Sequence, residues 1–228
     1  MKNILLLLIL LLLTSCVDSP VELNKLEHDL ALTFVIRSNN NRQKALVTYV
    51  NSPGDKYSNF PKLVNDCEFY VNGIKFNIND SIDYSRFHNI GYFYNYYSDS
   101  LKTKDIDTFH LRVVKGNNII VGKTIMPGEF NIIVSGRTIK WSKSSRAYYY
   151  SIKIENTSNN FIYKETTDGL FYTIANTDFI PGKYTIEICA FDKNYFDYYN
   201  NQKDPSGISG AYGIFGSVRC EKIVANIK

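Results

Sequence analysis

Ile180-Pro181-Gly182-Lys183-Tyr184-Thr185-Ile186-Glu187-Ile188-Cys189-Ala190 is the stretch that decides how this chain folds. After the Pro-Gly turn, Ile186, Ile188 and Ala190 take alternate places, and Thr185, Glu187 and Cys189 fall between them. Side chains of a strand point to opposite faces in turn, so a period of two predicts a strand with one face buried. On that pattern Ile186, Ile188 and Ala190 point inward, and Cys189 points to the other face.

The same period recurs on both sides. Residues 130–134, 138–141, 148–155, 161–165 and 170–175 read as strands before it, and 218–226 as a strand after it. Seven short strands at such spacing predict a β-sandwich over residues 128–228. Further upstream, Leu30, Leu32, Phe34 and Ile36 alternate with Ala31, Thr33, Val35 and Arg37. Residues 45–50 form another run, closed by Asn51-Ser52-Pro53-Gly54. Residues 67–71 and 74–78 flank Asn72-Gly73, the strongest short-range hairpin signal, because both turn residues take positive φ. Residues 92–97 are a further candidate strand, and 109–114 and 119–121 pair across a polar turn. Met126-Pro127-Gly128 then breaks the pattern. No segment carries a sustained helical stripe. The expected fold is all-β, with two β-sandwich-like domains at 26–127 and 128–228.

Composition agrees. With Tyr 18, Phe 14 and one Trp, the aromatic content favours half-buried pleated surfaces. The formal charge of +4, spread without basic clusters, gives no basis for nucleic-acid binding.

The first residues carry an address. Met1-Lys2-Asn3 is a short positive start, followed by the apolar run 4–13. As a helix that run spans about 15 Å, half of a bilayer's hydrocarbon core of roughly 30 Å, so it reads as an export signal and not a membrane span. Leu13-Thr14-Ser15-Cys16 resembles the lipobox of bacterial lipoproteins. The resemblance implies removal of residues 1–15 and acylation of Cys16, whose lipid then holds the protein on a membrane. Two or more acyl chains anchor stably where one is marginal. Residues 16–25 read as the lipidated tether. The sequence leaves open which membrane and which face; the outer membrane of the cell envelope is the expected place.

Chemistry is sparse. His28, His88 and His110 are scattered and form no metal-ligand spacing. Asp80, Asp83, Asp99, Asp105, Asp107, Asp192, Asp197 and Asp204 match no calcium-loop pattern. The four glycines of 207–216 do not follow the strand, loop and helix order of a phosphate cradle, and no Gly-x-Ser-x-Gly elbow occurs. No catalytic residue, metal or cofactor is assigned, and the expectation is a protein that is not an enzyme.

Aromatics hint at recognition instead. Residues 92–97 and the run Tyr195-Phe196-Asp197-Tyr198-Tyr199-Asn200 are dense in Tyr and Asn. Tyr offers large contact area at low entropic cost, which is why binding loops favour it. Two readings stay open for both runs: rings that fill cores and shield sheets, or rings that meet a partner. Tyr195, Phe196, Tyr198 and Tyr199 form the candidate binding loop.

Residues 128–228 resemble a fibronectin type III domain. Thr138-Ile139-Lys140-Trp141-Ser142 and 148–154 look like its B and C strands, and 180–190 looks like its E–F corner and F strand. The resemblance implies a core position for Trp141 and a tyrosine-corner role for Tyr184, whose hydroxyl would bond upstream backbone. It also places Cys220 of the last strand beside Cys189. A disulfide between them suits an exported protein, though unpaired structural cysteines are the alternative; Cys67 reads as a small buried filler. One departure stands out: the F–G connection, 193–217, is far longer than the module's usual handful of residues. Taken whole, the layout resembles DUF4249-type lipoproteins of Bacteroidetes. Together these imply a non-catalytic, lipid-anchored envelope protein that presents sandwich loops to a protein or glycan partner. An accessory subunit of an outer-membrane transport complex, and a small envelope hydrolase, are the rival expectations.

Overall fold

A computed structural model describes residues 28–50, 61–86, 93–103, 107–156, 161–175 and 180–227. Cys16, the export signal and the tether lie outside the described residues, as do His88, Tyr92 and Asp105.

Strands in the first half are β1 (Leu30–Arg37), β2 (Gln43–Tyr49), β3 (Glu68–Val71), β4 (Ile74–Lys75), β5 (Asn77–Ile78), β6 (Tyr96–Ser98), β7 (Thr108–Lys115) and β8 (Asn118–Ile125). The second half holds β9 (Ile132–Ser135), β10 (Thr138–Trp141), β11 (Tyr149–Asn156), β12 (Phe161–Thr167), β13 (Phe171–Thr173), β14 (Gly182–Phe191), helix α1 (Lys193–Tyr199), β15 (Ile208–Ser209) and β16 (Tyr212–Ile227). The fold is an all-β sandwich architecture.

In the first sandwich a five-stranded sheet, β15-β8-β7-β3-β4, faces one side of a larger sheet. Every second residue of β1 is buried, Leu30, Leu32, Phe34 and Ile36, as the alternation requires. They meet Phe69, Phe109, Leu111, Val113, Ile120 and Phe215 in one core. Phe34 lies at its centre, with ring centroids 5.4 Å from Phe76, 5.4 Å from Phe215 and 5.8 Å from Phe69. Edge-to-face and offset contacts of this kind add to the burial itself.

In the second sandwich the three-stranded sheet β13-β10-β9 faces β12-β11-β14-β16. These seven strands, in facing sheets of three and four, make a fibronectin type III-like sandwich. Tyr184 is fully buried, and its hydroxyl donates to Ile180 O at 2.5 Å, closing the tyrosine corner. Trp141 sits in the same core beside Tyr150, with ring centroids 5.8 Å apart.

The two sandwiches share β16. Its first half pairs in parallel with β1, Tyr212 opposite Ala31 through Val218 opposite Arg37. Its second half pairs antiparallel with β14, from Val218 opposite Phe191 to Ile227 opposite Gly182. One eight-stranded sheet, β12-β11-β14-β16-β1-β2-β6-β5, therefore runs through both.

This arrangement corrects the expectation of a long F–G loop. Residues 193–217 make helix α1, the edge strand β15 and the start of β16, which begins six residues earlier than its apolar period signals. The glycines are what allow it. Gly213 has φ +104°, and a Cβ there would lie 2.0 Å from Leu32 O on the paired strand. At Gly207, φ +71°, a Cβ would meet Phe215 O and Asn194 Nδ2 at 2.3 Å. The glycine-bearing stretch is strapped to both sheets of the first sandwich. The one helix in this stretch, α1, has seven residues, too few turns to display an apolar stripe.

Candidate functional site

Helix α1 starts because Asp192, in extended conformation, accepts the Tyr195 N–H at 2.9 Å as its N-cap. The helix lies on the outer face of the shared sheet. Tyr195 and Phe196 pack there on Tyr149, Phe191 and Val218, above the disulfide that joins Cys189 and Cys220, which lie directly opposite each other in register. Ring follows ring across this surface. Phe191 and Tyr195 are 4.4 Å apart, Tyr195 and Tyr199 4.4 Å, Tyr198 and Tyr199 5.0 Å, Tyr149 and Phe196 5.6 Å, and Tyr148 and Phe196 6.2 Å. Burial pushes the phenol of Tyr195 well above its ordinary range. The result is an aromatic seam whose outer members, Tyr148 and Tyr199, are 50% and 52% exposed.

The candidate binding loop is thus divided by the fold. Tyr195 and Phe196 anchor the helix, while Tyr198 and Tyr199 lie toward its outer end. Lys193, with its ammonium 5.7 Å above the ring of Tyr148, is ion-paired with Asp197 one turn along.

Beneath the helix is a polar group that sequence reasoning missed. Asp192 is 4% exposed. Its carboxylate accepts from the Thr124 hydroxyl of β8 and from the Tyr195 N–H, and Ser217 adds further hydrogen bonds. Thr124 Oγ1 also lies 3.0 Å from Ser217 Oγ. Asn194 Nδ2 donates to Lys123 O at 2.8 Å and Phe215 O at 2.9 Å. The first sandwich, the helix and the shared strand are tied together here. Asp192 immediately before Lys193-Asn194-Tyr195 is the signal that marks a helix start, and Lys193 and Asp197 are the matching pair four apart.

Burial raises the Asp192 carboxyl above its usual range, and its hydrogen bonds only partly offset that. A folded-state pKa above the unfolded one means stability present below the unfolded pKa and lost as pH rises through the folded one. Asp192→Asn keeps an acceptor for the cap and removes the charge. Denaturant titrations of both proteins from pH 3 to 7 are therefore expected to show the variant gaining on the parent as pH rises; a difference independent of pH would refute the assignment.

The other aromatic run is split in the same way. Phe93, Asn95 and Tyr96 are buried. Asn95 substitutes for missing backbone: its Oδ1 accepts from Val47 N–H at 2.8 Å, and its Nδ2 donates to Val47 O and Val64 O at 2.9 Å. The Tyr96 hydroxyl accepts the N–H of buried Cys67 at 2.9 Å. Tyr94 and Tyr97 turn outward, with Lys44 and Arg42 each 4.5 Å from their ring centroids. Arg42 is also bidentate to Asp99, and Arg146 pairs with Asp107 at 2.9 Å. Among the described residues, no group of three or more His, Cys, Asp and Glu is placed to hold a metal ion.

The chain matches no protein-family model, and no curated protein matches it either. Among solved structures it is similar to the chicken CNTN1 FN1–FN3 domains, at 13% identity and TM-score 0.26, over 86% of this chain and 66% of that one. It is also similar to domains A168–A170 from titin, at 10% identity and TM-score 0.24, over 86% of this chain and 65% of that one. The chain spans just under two thirds of either. The likeness of the second sandwich to a fibronectin type III fold is seen in its strand order and the Tyr184 corner described above.

Proposed function

We propose that this chain is a lipid-anchored, non-catalytic binding protein of the bacterial cell envelope, held through Cys16 at the outer membrane. It meets a protein or glycan partner at the seam of Tyr148, Tyr198 and Tyr199. The observation that carries the reading is the half-exposed pair Tyr148 and Tyr199, backed by Tyr149, Phe191, Tyr195 and Phe196 on a rigid sheet. Rings fixed before contact lose little entropy on binding, and such residues dominate interface energies. Leu13-Thr14-Ser15-Cys16 supports the anchor.

The test uses the mature lipidated protein and detergent-solubilised envelopes. Tyr148→Ala/Tyr199→Ala is expected to weaken partner recovery by about 30-fold, the loss of roughly 2 kcal/mol at a hot spot. Its thermal transition stays near the parent's, because both rings lie outside the two main cores. Unchanged recovery by a folded variant defeats the seam as the site. A single abundant barrel partner in the pull-down identifies the protein as a transporter's accessory subunit. Cys16→Ser should remove the acyl mass and release the protein from the membrane fraction.

A further inference from the structure

On the five-stranded sheet, Phe69, Leu111, Val113 and Ile120 face the core, so the alternate residues face out. Arg112 lies between Tyr70 on β3 and Val121 on β8, with Lys75 opposite Tyr70. Next to that row, His110 lies opposite Lys123. Ile119 and Val121 are 50% and 48% exposed on the same face. Glu68 is its single acid among the described residues of these strands, and no ion pair there engages Lys75, Arg112 or Lys123. Cations around exposed aliphatic side chains and a tyrosine match the chemistry of an anionic lipid surface, where charge meets headgroups and apolar groups enter the boundary.

The point where the chain reaches the fold selects that partner. Ser209 pairs with Val121, Gly210 passes against Ile119 O, and Tyr212 pairs with Ala31 at the start of β1. The Tyr212 ring touches His28, 5.4 Å centroid to centroid. The segment from Cys16 therefore joins the described fold at His28, beside Tyr212. Its twelve residues reach at most about 40 Å, so this face stays within reach of the headgroups that surround the anchor.

We infer that the outer face of the five-stranded sheet rests on the anionic membrane that holds Cys16, with Arg112, Lys123 and Lys75 on lipid phosphates and Ile119 and Val121 at the acyl boundary. This rests on the reading of Cys16 as acylated. It leaves the Tyr148–Tyr199 seam, on a different sheet, to the partner.

The test places a reporter on the face. Val121→Trp in the mature lipidated protein is reconstituted with spin-labelled lipid in phosphatidylcholine vesicles, with and without phosphatidylglycerol. Trp141, 4% exposed in the other sandwich, gives the background from the parent protein. Quenching is expected to be at least about twofold greater in anionic vesicles, and to fall to the neutral level near 0.5 M salt, where the screening length is about 4 Å. Arg112→Glu/Lys123→Glu should abolish the difference while the protein still floats with the vesicles. Equal quenching in both vesicle types overturns the proposal, as does capture by soluble polyglutamate without lipid quenching, which would mark the face as a site for an acidic protein. The anchor is read separately: flotation in neutral vesicles that survives Cys16→Ser defeats lipid attachment, whatever the reporter shows.

Discussion

Gly213→Ala is expected to destabilise the protein by about 3 kcal/mol or more, the sum of a left-handed backbone cost and overpacking against a neighbouring strand. The methyl group would fall 2.0 Å from Leu32 O and 2.9 Å from Leu32 C. Both atoms are backbone in the middle of β1, opposite Gly213 in register, so no side-chain rotation relieves the clash. The Gly213 N–H also donates to Asp204, so moving the strand away breaks that bond. Chemical denaturation would show the loss. Gly136→Ala, with φ +56° but open space at Cβ, isolates the backbone cost and should lose only about 1 kcal/mol. Equal losses at the two glycines would mean that the close approach of β1 and β16 contributes nothing.

Removing the disulfide should have a comparable effect. Cys189 and Cys220 are separated by 31 residues, and a cross-link over such a loop restricts the unfolded chain by about 3–4 kcal/mol. For a chain of this length that corresponds to a melting temperature lower by about 10 °C. Cys189→Ala/Cys220→Ala, or the parent protein kept reduced, would show it by thermal circular dichroism. The sulfurs lie under Tyr195 and Phe196, so the change should also loosen α1 and increase hydrogen exchange at its amides. A melt unaffected by reductant would show that the ladder between β14 and β16 holds this region unaided.

Most of the fold is legible in the sequence because burial on one face of a strand leaves a period of two. Leu30, Leu32, Phe34 and Ile36 announce β1, and Ile186, Ile188 and Ala190 announce β14. Asn72-Gly73 marks the β3–β4 turn. What escaped has physical causes. In β16 the residues from Tyr212 to Val218 are packed on both faces, between the first core and helix α1, so the alternation vanishes and Gly213 and Gly216 read as loop. In α1 the Asp192 cap carries the signal, but the apolar side chains at 195 and 196 are consecutive and set no helical period, although both pack on the same cluster. The tyrosines were recognisable as a cluster; which of them are covered depends on where β14 and β16 lie, and that is a long-range property.

The strand held in common has a consequence for assembly. During synthesis the amino-terminal half of a multidomain chain ordinarily closes before the rest has emerged. Here the neighbour of β1 is supplied by residues 212–218, and the same continuous strand goes on to complete the other sandwich. Neither half can finish its sheet until residues 212–227 have been delivered. Closure of both sheets is thereby postponed to a late, concerted step.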